Sequence, residues 1–402
     1  MKKVRIGLIR EGKLPSDSRV ALTPKNCRDL LKKYPFLEIY VQPSKHRCCP
    51  AKEYSISGVR IREELSNCDI LMGIKEVPIN KLTSNKTYLF FSHTHKEQQH
   101  NRDLLKQILV KRIEMIDYEC MLDDEGNRLV GFGRFAGIVG AHTTFWAWDK
   151  RNKRNHLKRA FECRGYGELQ GYYDDFKIEP VKIVVTGRGR AATGAREILE
   201  LANVKQVSKE DFLKKTYKHP VYVQLSSADL YQRKDSKKFE RQDFYDNPED
   251  YESTFDPYVS QTDILIHAIY WDQRAPKLFT KDRMKDEDFK IQLIGDITCD
   301  VNGAIPCTIK SNSSDSPVYG YDTDKEILVE AFNKKYVDVM AIDNLPNELP
   351  RDASNNFGQE LVESVFDNLL DDKDSDMIVN STIAKEGGLT KRYNYLEDFI
   401  NK

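Results

Sequence analysis

The stretch VKIVVTGRGRAATGAREILELA, residues 181–202, decides the fold of this chain. Its first five residues are apolar apart from Lys182 and fit a buried central strand of a parallel sheet. The residues after Thr186 read G-x-G-x-x-A and lead into a segment with the apolar spacing of a helix. A strand, a glycine-rich turn and a helix in this order are typical of a dinucleotide-binding βαβ unit.

The glycine-rich turn predicts a site for a pyrophosphate. Gly187 permits the uncommon backbone conformation of the turn, Gly189 lets the main chain approach the phosphates, and Ala192 lets helix and strand pack closely. Amides at the helix start, around Arg190, and the helix dipole then hold the anion. A tight turn without a ligand is the alternative, but the flanking strand and helix favour the cofactor site. We therefore predict NAD(P)H as the cofactor.

The next strand, predicted around Val204 to Val207, bears on the choice between NAD and NADP. In NAD-binding proteins this strand ends in an Asp or Glu that binds the adenosine ribose, whereas Ser208 and Lys209 follow it here, so Ser208 is the candidate for the cofactor contact. A missing carboxylate beside a basic residue favours a 2′-phosphate and therefore NADP. Glu210 and Asp211 are close enough to serve NAD if the strand is one register longer.

Outward from this unit, strand-like and helix-like segments alternate. The strand-like segments VRIGL, EIYV, CDILMGI and TYLFF precede residue 120, and QTDILIHAIYW, FKIQLIGDIT and VDVMAID follow the glycine-rich turn. RDLLKQILVKR and GQELVESVFDNLLDD read as amphipathic helices. This alternation predicts the α/β class, with parallel sheets covered by helices. The basic run from Lys150 to Arg159 reads as a solvated helix face rather than an anion site.

Composition narrows the class of protein. At roughly 150 residues per domain, 402 residues suggest two or three domains. The 63 basic and 63 acidic residues cancel, which removes a general attraction to nucleic acid or membranes. No apolar stretch is long enough to span a bilayer, so we predict a cytoplasmic protein. Eight cysteines are too sparse for a disulfide scaffold, and the adjacent Cys48 and Cys49 lack zinc-finger spacing, so we predict reduced thiols and no metal.

Ordered motifs along nearly the whole chain carry a family resemblance. They are DSRVALTP (17–24), GIKEVP (73–78), FSHTHKEQ (91–98), IDYE (116–119), GNRLVGFGRFAG (126–137), TGRGRAATGA (186–195), AIYWDQRAP (268–276), GDITCDVNGAIPCT (295–308) and DNLPNELPRDAS (343–354). Together they resemble saccharopine dehydrogenase of the L-lysine-forming type, and most closely the lysine–ketoglutarate reductase domain of the bifunctional lysine-degrading enzyme. Alanine dehydrogenase and transhydrogenase domains are more distant relatives.

The resemblance implies two Rossmann-like domains with parallel sheets flanking a cleft. It implies a substrate-side domain over 1–138 plus 345–402 and a dinucleotide-binding domain over 139–344. It also implies a reaction, in which the ε-amine of lysine condenses with 2-oxoglutarate and a nicotinamide hydride reduces the imine to saccharopine. A separate enzyme that oxidises saccharopine is a possible partner, and the oligomeric state stays open.

Such a reaction needs two groups that transfer protons near neutral pH. By resemblance Lys75 is the base for the amine and His93 serves the carbinolamine and carbonyl steps, with Glu76 and Glu119 tuning both by charge. From composition alone, His93 reads as the partner of a backbone carbonyl and Lys75 as an exposed strand-end lysine. The motif contexts FSHTHK and GIKE favour the catalytic interpretation.

The remaining site residues also follow from the resemblance. The substrate carboxylates call for cations, for which Arg19, Lys96 and Arg128 are the candidates. Ile269 and Tyr270 are expected near a cofactor ribose. Asp343 resembles the acid close to the nicotinamide, and capping of a helix is its alternative role.

Two other functions stay open. Reductive amination of another 2-keto acid with ammonia, as in alanine dehydrogenase, needs the same hydride geometry but a shorter site. A noncatalytic dinucleotide sensor would keep only the fold, and the presence of Lys75 and His93 argues against it.

Overall fold

The computed structural model describes residues 3–12, 14–371 and 374–401. The chain divides into two compact units. Unit 1 contains residues 1–132 and 350–402, and unit 2 contains residues 133–349. Each unit is built around its own largely parallel sheet, so the predicted α/β class with two Rossmann-like sheets is confirmed.

Unit 1 holds a sheet of eight described strands in the order β18-β17-β6-β5-β4-β1-β2-β3. Their bounds are β1 Val4–Leu8, β2 Leu37–Val41, β3 Arg60–Ile61, β4 Ile70–Met72, β5 Thr87–Phe90, β6 Glu114–Asp117, β17 Thr382–Lys385 and β18 Gly388–Leu389. Strands β1 to β6 pair in parallel, whereas β17 and β18 are antiparallel. The carboxyl ends of β1, β4, β5 and β6 therefore lie at one edge, where ligands bind in open α/β sheets.

Helices from both ends of the chain cover this sheet. They are α1 Pro24–Lys33, α2 Ala51–Ile56, α3 Arg102–Val110, α11 Pro350–Ser364, α12 Phe366–Asp371, α13 Asp376–Ser381 and α14 Glu397–Asn401. Helix α1 begins at Pro24, and its N-cap Thr23 accepts a hydrogen bond from the backbone of Asn26. Phe357 and Leu361 of α11 are fully buried in the same core as Ile39 of β2, so the C-terminal segment is part of unit 1.

Unit 2 holds a second sheet, in the order β15-β14-β16-β13-β12-β7-β9-β8, and a two-stranded ribbon of β10 and β11. The strands are β7 Lys182–Thr186, β8 Lys205–Gln206, β9 Val221–Leu225, β10 Tyr231–Arg233, β11 Tyr251–Ser253, β12 Ile264–His267, β13 Leu293–Asp296, β14 Val318–Asp322, β15 Ile327–Val329 and β16 Val337–Met340. Strand β7, which precedes the glycine-rich turn, is central and lies between β9 and β12.

Two helices of unit 2 cross in direct backbone contact. The helices of this unit are α4 Gly133–Arg151, α5 Tyr166–Gly171, α6 Arg190–Leu201, α7 Lys209–Lys214, α8 Ser227–Leu230, α9 Arg241–Asp246 and α10 Asp256–Val259. A Cβ on Gly137 of α4 would lie 1.9 Å from the carbonyl oxygen of Ala191, and one on Gly194 of α6 would lie 1.9 Å from that of Arg134. Only glycine permits so close a crossing of α4 and α6.

Within residues 3–12, 14–371 and 374–401, no helix combines the length and apolar character needed to cross a bilayer.

Basic residues between Lys150 and Arg159 form specific pairs rather than a uniformly solvated face. The Arg151 guanidinium is 2.6 Å from the Asp338 carboxylate, and both side chains are buried. Arg159 pairs with Glu348 at 2.5 Å, also in a buried position. The predicted solvated face is therefore wrong for these two arginines, since burial of an arginine requires a partner carboxylate.

Candidate active site

The turn after β4 is held by a carboxylate that sequence reasoning missed. Glu11, which follows β1, accepts hydrogen bonds from the backbone N–H groups of Ile74 at 2.7 Å and Lys75 at 2.9 Å. Burial raises the pKa of Glu11 to about 7, although these two bonds oppose the shift. The position of Glu11 just beyond a parallel strand is the sequence signal that could have identified it.

His93 follows β5 in an uncommon backbone conformation, with φ of 53°. Its Nδ1 lies 2.7 Å from Oε1 of Glu76, and its ring stacks near Phe91 at 6.4 Å between centroids. Left-handed backbone at a non-glycine residue is infrequent and concentrates at functional sites. The structure thus brings the predicted proton-transfer residue His93 together with the predicted tuning carboxylate Glu76.

Asp117 at the end of β6 joins two strand ends. One carboxylate oxygen accepts from the backbone N–H of Ser92 at 2.9 Å and from its hydroxyl at 2.5 Å. The other accepts from the backbone N–H of Glu119 at 2.8 Å. Asp117 is fully buried, so these bonds satisfy a charge that would otherwise be costly there. It fixes the loop that carries His93 beside the loop that carries Glu119.

Glu119 forms ion pairs with two of the predicted substrate-binding cations. Its Oε1 lies 2.8 Å from Nζ of Lys96 and 2.5 Å from Nη2 of Arg128. Burial raises the pKa of Glu119, but the charges of Arg128 and Lys96 outweigh it and hold that pKa below its ordinary value. Glu119 therefore organises the cations, whereas Glu76 is the carboxylate that contacts His93.

His95 lies beside these carboxylates. Its Nε2 is 3.5 Å from Glu119 Oε2, and burial lowers the pKa of His95 although Asp117 and Glu119 oppose the shift. Donor atoms of His95, Asp117 and Cys120 lie within 4.8 Å of one another. Both oxygens of Asp117 accept hydrogen bonds from the two loops, which fixes this carboxylate beside His95 and Cys120.

Arg19 is buried and already paired. Its Nε and Nη2 donate to the two oxygens of Asp17 at 3.0 and 2.6 Å. The guanidinium also lies 4.1 Å from the centroid of the Phe132 ring. A substrate carboxylate at Arg19 would therefore meet a guanidinium whose orientation Asp17 fixes.

The glycine-rich turn of unit 2 has the shape that a pyrophosphate needs. Gly187 has φ of 93°, and a Cβ there would lie 2.8 Å from the carbonyl oxygen of Ala268. Helix α6 begins at Arg190 with Gly189 as its N-cap, and Ala192 is fully buried. Two glycines just before the start of a helix leave the main chain accessible, which fits the phosphate group of a dinucleotide.

The strand predicted around Val204 to Val207 is β8, which lies at the edge of the sheet. Strand β9 lies between β8 and β7. Ser208 follows β8 and caps helix α7, where its hydroxyl accepts from the backbone N–H of Asp211 at 3.1 Å. The predicted strand is therefore present, but it pairs with β9 and not with β7.

The end of β9 carries a charged cluster instead. The carboxylate of Asp229 accepts from the backbone N–H of Ser226 at 2.8 Å and pairs with Lys209. The Arg188 guanidinium, within the glycine-rich turn, lies 4.0 Å from the same carboxylate. Sequence reasoning missed Arg188 and Asp229 because their proximity depends on the strand order.

The other predicted cofactor residues follow β12 and β16. Ile269 packs on the core of unit 2, and the Tyr270 side chain is 76% exposed. Asp343 is exposed, and the N-cap of the following 3₁₀ turn is Asn344. Helix capping, the alternative role for Asp343, is therefore wrong.

Two units with largely parallel sheets, one with a dinucleotide-type turn and one with titratable residues at its strand ends, define a fold of two Rossmann-like units. Residues 7–139 match the model of the alanine dehydrogenase/PNT N-terminal domain family. The chain is similar to a solved L-alanine dehydrogenase, with a TM-score of 0.64 and 15% identity over 99% of each chain. It is also similar to transhydrogenase from Sinorhizobium meliloti, with a TM-score of 0.61 and 13% identity over 96% of this chain and 99% of that one.

Curated relatives are more similar in sequence to this chain than these two solved structures are. The chain is 29% identical to alpha-aminoadipic semialdehyde synthase of Mus musculus over 98% of this chain and 47% of that protein. The chain is 30% identical to the Arabidopsis thaliana protein of that name, over 97% of this chain and 41% of that protein. It is 24% identical to saccharopine dehydrogenase [NAD(+), L-lysine-forming] of Candida albicans, over 88% of this chain and 89% of that protein. The resemblance to saccharopine dehydrogenases and lysine–ketoglutarate reductase domains, predicted from the motifs, is confirmed.

The chain spans about half the length of the alpha-aminoadipic semialdehyde synthases that it matches.

Proposed function

We propose that the chain interconverts L-lysine plus 2-oxoglutarate and saccharopine by NAD(P)-dependent imine reduction. The observation that carries the proposal is the set of side chains at the carboxyl edge of the unit 1 sheet. There Lys75 follows β4 on a turn bonded to Glu11, and His93 follows β5 and is bonded to Glu76. The curated relatives of the chain include proteins named for this chemistry.

The residues of unit 1 would carry the proton transfers. Lys75 would take the proton from the ε-amine of lysine as it attacks the ketone carbon of 2-oxoglutarate. Because Nδ1 of His93 is bonded to Glu76, Nε2 would donate a proton to the carbinolamine oxygen when water leaves. Arg19, Lys96 and Arg128 would bind the substrate carboxylates as charge-assisted donors.

Unit 2 would hold the dinucleotide. The turn at Gly187 and Gly189 and the start of α6 would bind the pyrophosphate, with the positive φ of Gly187 forming the turn. Ile269, Tyr270 and Asp343 are proposed to contact the ribose and nicotinamide side of the cofactor. When bound, the cofactor supplies the hydride that reduces the imine carbon.

Four absorbance assays test the reaction. Nicotinamide absorbance is followed with 2-oxoglutarate plus lysine and with pyruvate plus ammonium, each with NADH and with NADPH. We expect oxidation of the cofactor with the lysine pair. Activity with pyruvate and ammonium only would refute the proposal and favour an alanine dehydrogenase-like reductive amination.

A matched pair of variants tests Lys75. Lys75→Met should depress turnover far more than cofactor affinity, because it removes the base but leaves unit 2 unchanged. Lys81→Met replaces an exposed lysine nearby in the chain and should keep wild-type turnover. Equal losses of turnover and cofactor affinity in Lys75→Met would show a structural role.

We further propose a preference for NADP, with Arg188 and Lys209 binding the 2′-phosphate. Both cations lie at Asp229, which follows the end of β9, and the adenosine ribose is bound at the end of such a strand. The Asp229 carboxylate alone would favour NAD, so the proposal rests on the two cations beside it. The structure has Ser208 as the N-cap of helix α7, so the proposal no longer includes Ser208 as a ribose contact.

Arg188→Ala should weaken NADPH binding by about tenfold, because a hydrogen bond to a charged group is lost, and NADH binding should change less. An equal loss for both cofactors would refute this assignment.

A further inference from the structure

Two adjacent cysteines lie in the loop between β2 and α2 of unit 1. The sulfur atoms of Cys48 and Cys49 are 3.8 Å apart. Cys49 is fully buried, whereas Cys48 is half-buried. This arrangement places one thiol within reach of a solvent-borne reagent and a second thiol directly behind it.

The surroundings make the two thiols unequal. The hydrogen bond between them lowers the pKa of Cys48, and Ser354 and the charge of Arg351 add to this effect. The same hydrogen bond and burial raise the pKa of Cys49. The hydroxyl of Ser354 lies 3.9 Å from the Cys48 sulfur. Because the thiolate is the nucleophile in thiol chemistry, Cys48 is the thiol that reacts first.

We propose that Cys48 and Cys49 form a redox modification site that closes to a disulfide between adjacent residues on reaction with a low-molecular-weight disulfide. In the first step the Cys48 thiolate attacks one sulfur of glutathione disulfide, the S–S bond breaks, and one glutathione thiolate leaves. In the second step Cys49 loses its proton and attacks the Cys48 sulfur, and the second glutathione thiolate leaves. Two cysteine thiols are oxidised, and one glutathione disulfide is reduced to two glutathiones.

Such a bond would be readily reversed and would move the loop. Adjacent Cα atoms are about 3.8 Å apart, closer than the separation in most disulfides, which makes the bond strained and more reducible. Closure must also bring the sulfurs from 3.8 Å to about 2 Å. The Cys48 backbone N–H donates to the Ser18 carbonyl at 2.7 Å, immediately before Arg19. Oxidation is therefore expected to weaken that bond.

Mass spectrometry of the full chain tests the modification. The protein is incubated with excess glutathione disulfide, quenched in acid, alkylated and digested. The peptide that contains both cysteines should carry neither an alkyl group nor glutathione and should be lighter by two hydrogen atoms, and dithiothreitol should reverse this change. Both cysteines alkylated, or glutathione retained on the peptide, would overturn the proposal.

Variants separate the two steps. Cys49→Ser should stop at the mixed disulfide and retain one glutathione, whereas Cys48→Ser should leave Cys49 alkylated. Cys163→Ser replaces a half-buried cysteine of unit 2 and should leave the outcome at Cys48 and Cys49 unchanged. Equal oxidation of Cys49 in the Cys48→Ser variant would overturn the assigned order.

A binding probe and hydrogen exchange give readouts that do not depend on any enzymatic reaction. Phenylarsine oxide, which bridges paired thiols, should bind the reduced protein at this peptide and should be lost from it in either single variant. Amide exchange at Cys48 should become faster after oxidation because the bond to Ser18 is weakened. Retention of the arsenical in both variants would refute a paired site, and unchanged exchange would refute the link to the Ser18 segment.

Discussion

At the carboxyl edge of the unit 1 sheet, ion pairs with carboxylates hold the predicted substrate-binding cations in place. Arg19, Lys96 and Arg128 are all cations chosen from motifs, yet each meets a carboxylate in the structure. The Asp17–Arg19 pair is buried and orients the guanidinium at the cost of desolvation, whereas Lys96 and Arg128 are 39% and 53% exposed beside the buried Glu119. Under the proposed function, Asp17 and Glu119 would therefore fix the positions of the cations that bind a substrate carboxylate.

The Asp17–Arg19 pair leads to a stability prediction. The two side chains are 1% and 4% exposed, so Asp17→Asn should leave a buried arginine without its anion and lower the free energy of unfolding by about 3 kcal/mol. Urea denaturation measures this loss. The control Glu210→Gln disrupts a pair whose side chains are 73% and 72% exposed and should change stability by less than about 0.5 kcal/mol. Equal effects of the two substitutions would contradict the prediction.

Glu11 leads to a pH dependence. Its pKa rises from an ordinary 4.5 to about 7 on folding, so the folded state binds the proton more tightly than the unfolded state. The contribution of Glu11 to stability is therefore fully present below about pH 4.5 and falls by about 3 kcal/mol as the pH rises through about 7. Urea denaturation at about pH 5 and about pH 8 should show this loss in the wild type, and Glu11→Gln should remove it. A pH dependence unchanged by Glu11→Gln would contradict the assignment.

At the scale of elements, the crossing of α4 and α6 depends on glycine. The oxygen of Ala191 would lie 1.9 Å from a Cβ at Gly137, so Gly137→Ala should push the two helices apart and lower stability by about 3 kcal/mol. Gly167→Ala is the matched control, because no heavy atom lies within 4 Å of a Cβ there. That variant should be neutral or slightly more stable. Thermal unfolding compares the two, and a neutral Gly137→Ala would contradict the described crossing.

The local sequence pattern predicts individual strands and helices but not the order of the strands in a sheet. The strand and helix around the glycine-rich turn follow from apolar spacing within one stretch, and the structure has them as β7 and α6. The strand beside β7 is β9, and β8 pairs only with β9. Strand order depends on hydrogen bonds between segments distant in the chain, so spacing within one segment cannot predict it.

At the scale of the whole molecule, unit 1 is assembled from both ends of the chain. Phe357, Leu361 and Phe366 of the C-terminal segment are fully buried in the core that also contains Ile6 and Leu89. A chain that ends at Leu349 should therefore lose the folded structure of unit 1 because this core loses its cover. Limited proteolysis should cleave residues 4–132 rapidly in the truncated chain and slowly in the full chain. Equal protection in both would contradict the prediction.

The sequence by itself determined the α/β class, the glycine-rich turn and the resemblance to saccharopine dehydrogenases, because apolar period, glycine positions and ordered motifs are local properties of the chain. It also pointed to Lys75 and His93, whose roles stay predictions. Only the tertiary structure decided that Glu11 holds the turn at Lys75, that Asp229 rather than Ser208 lies at the strand beside β7, and that Cys48 contacts Ser354. Each of these contacts joins segments far apart in the chain, so it exists only once the sheets and helices have packed.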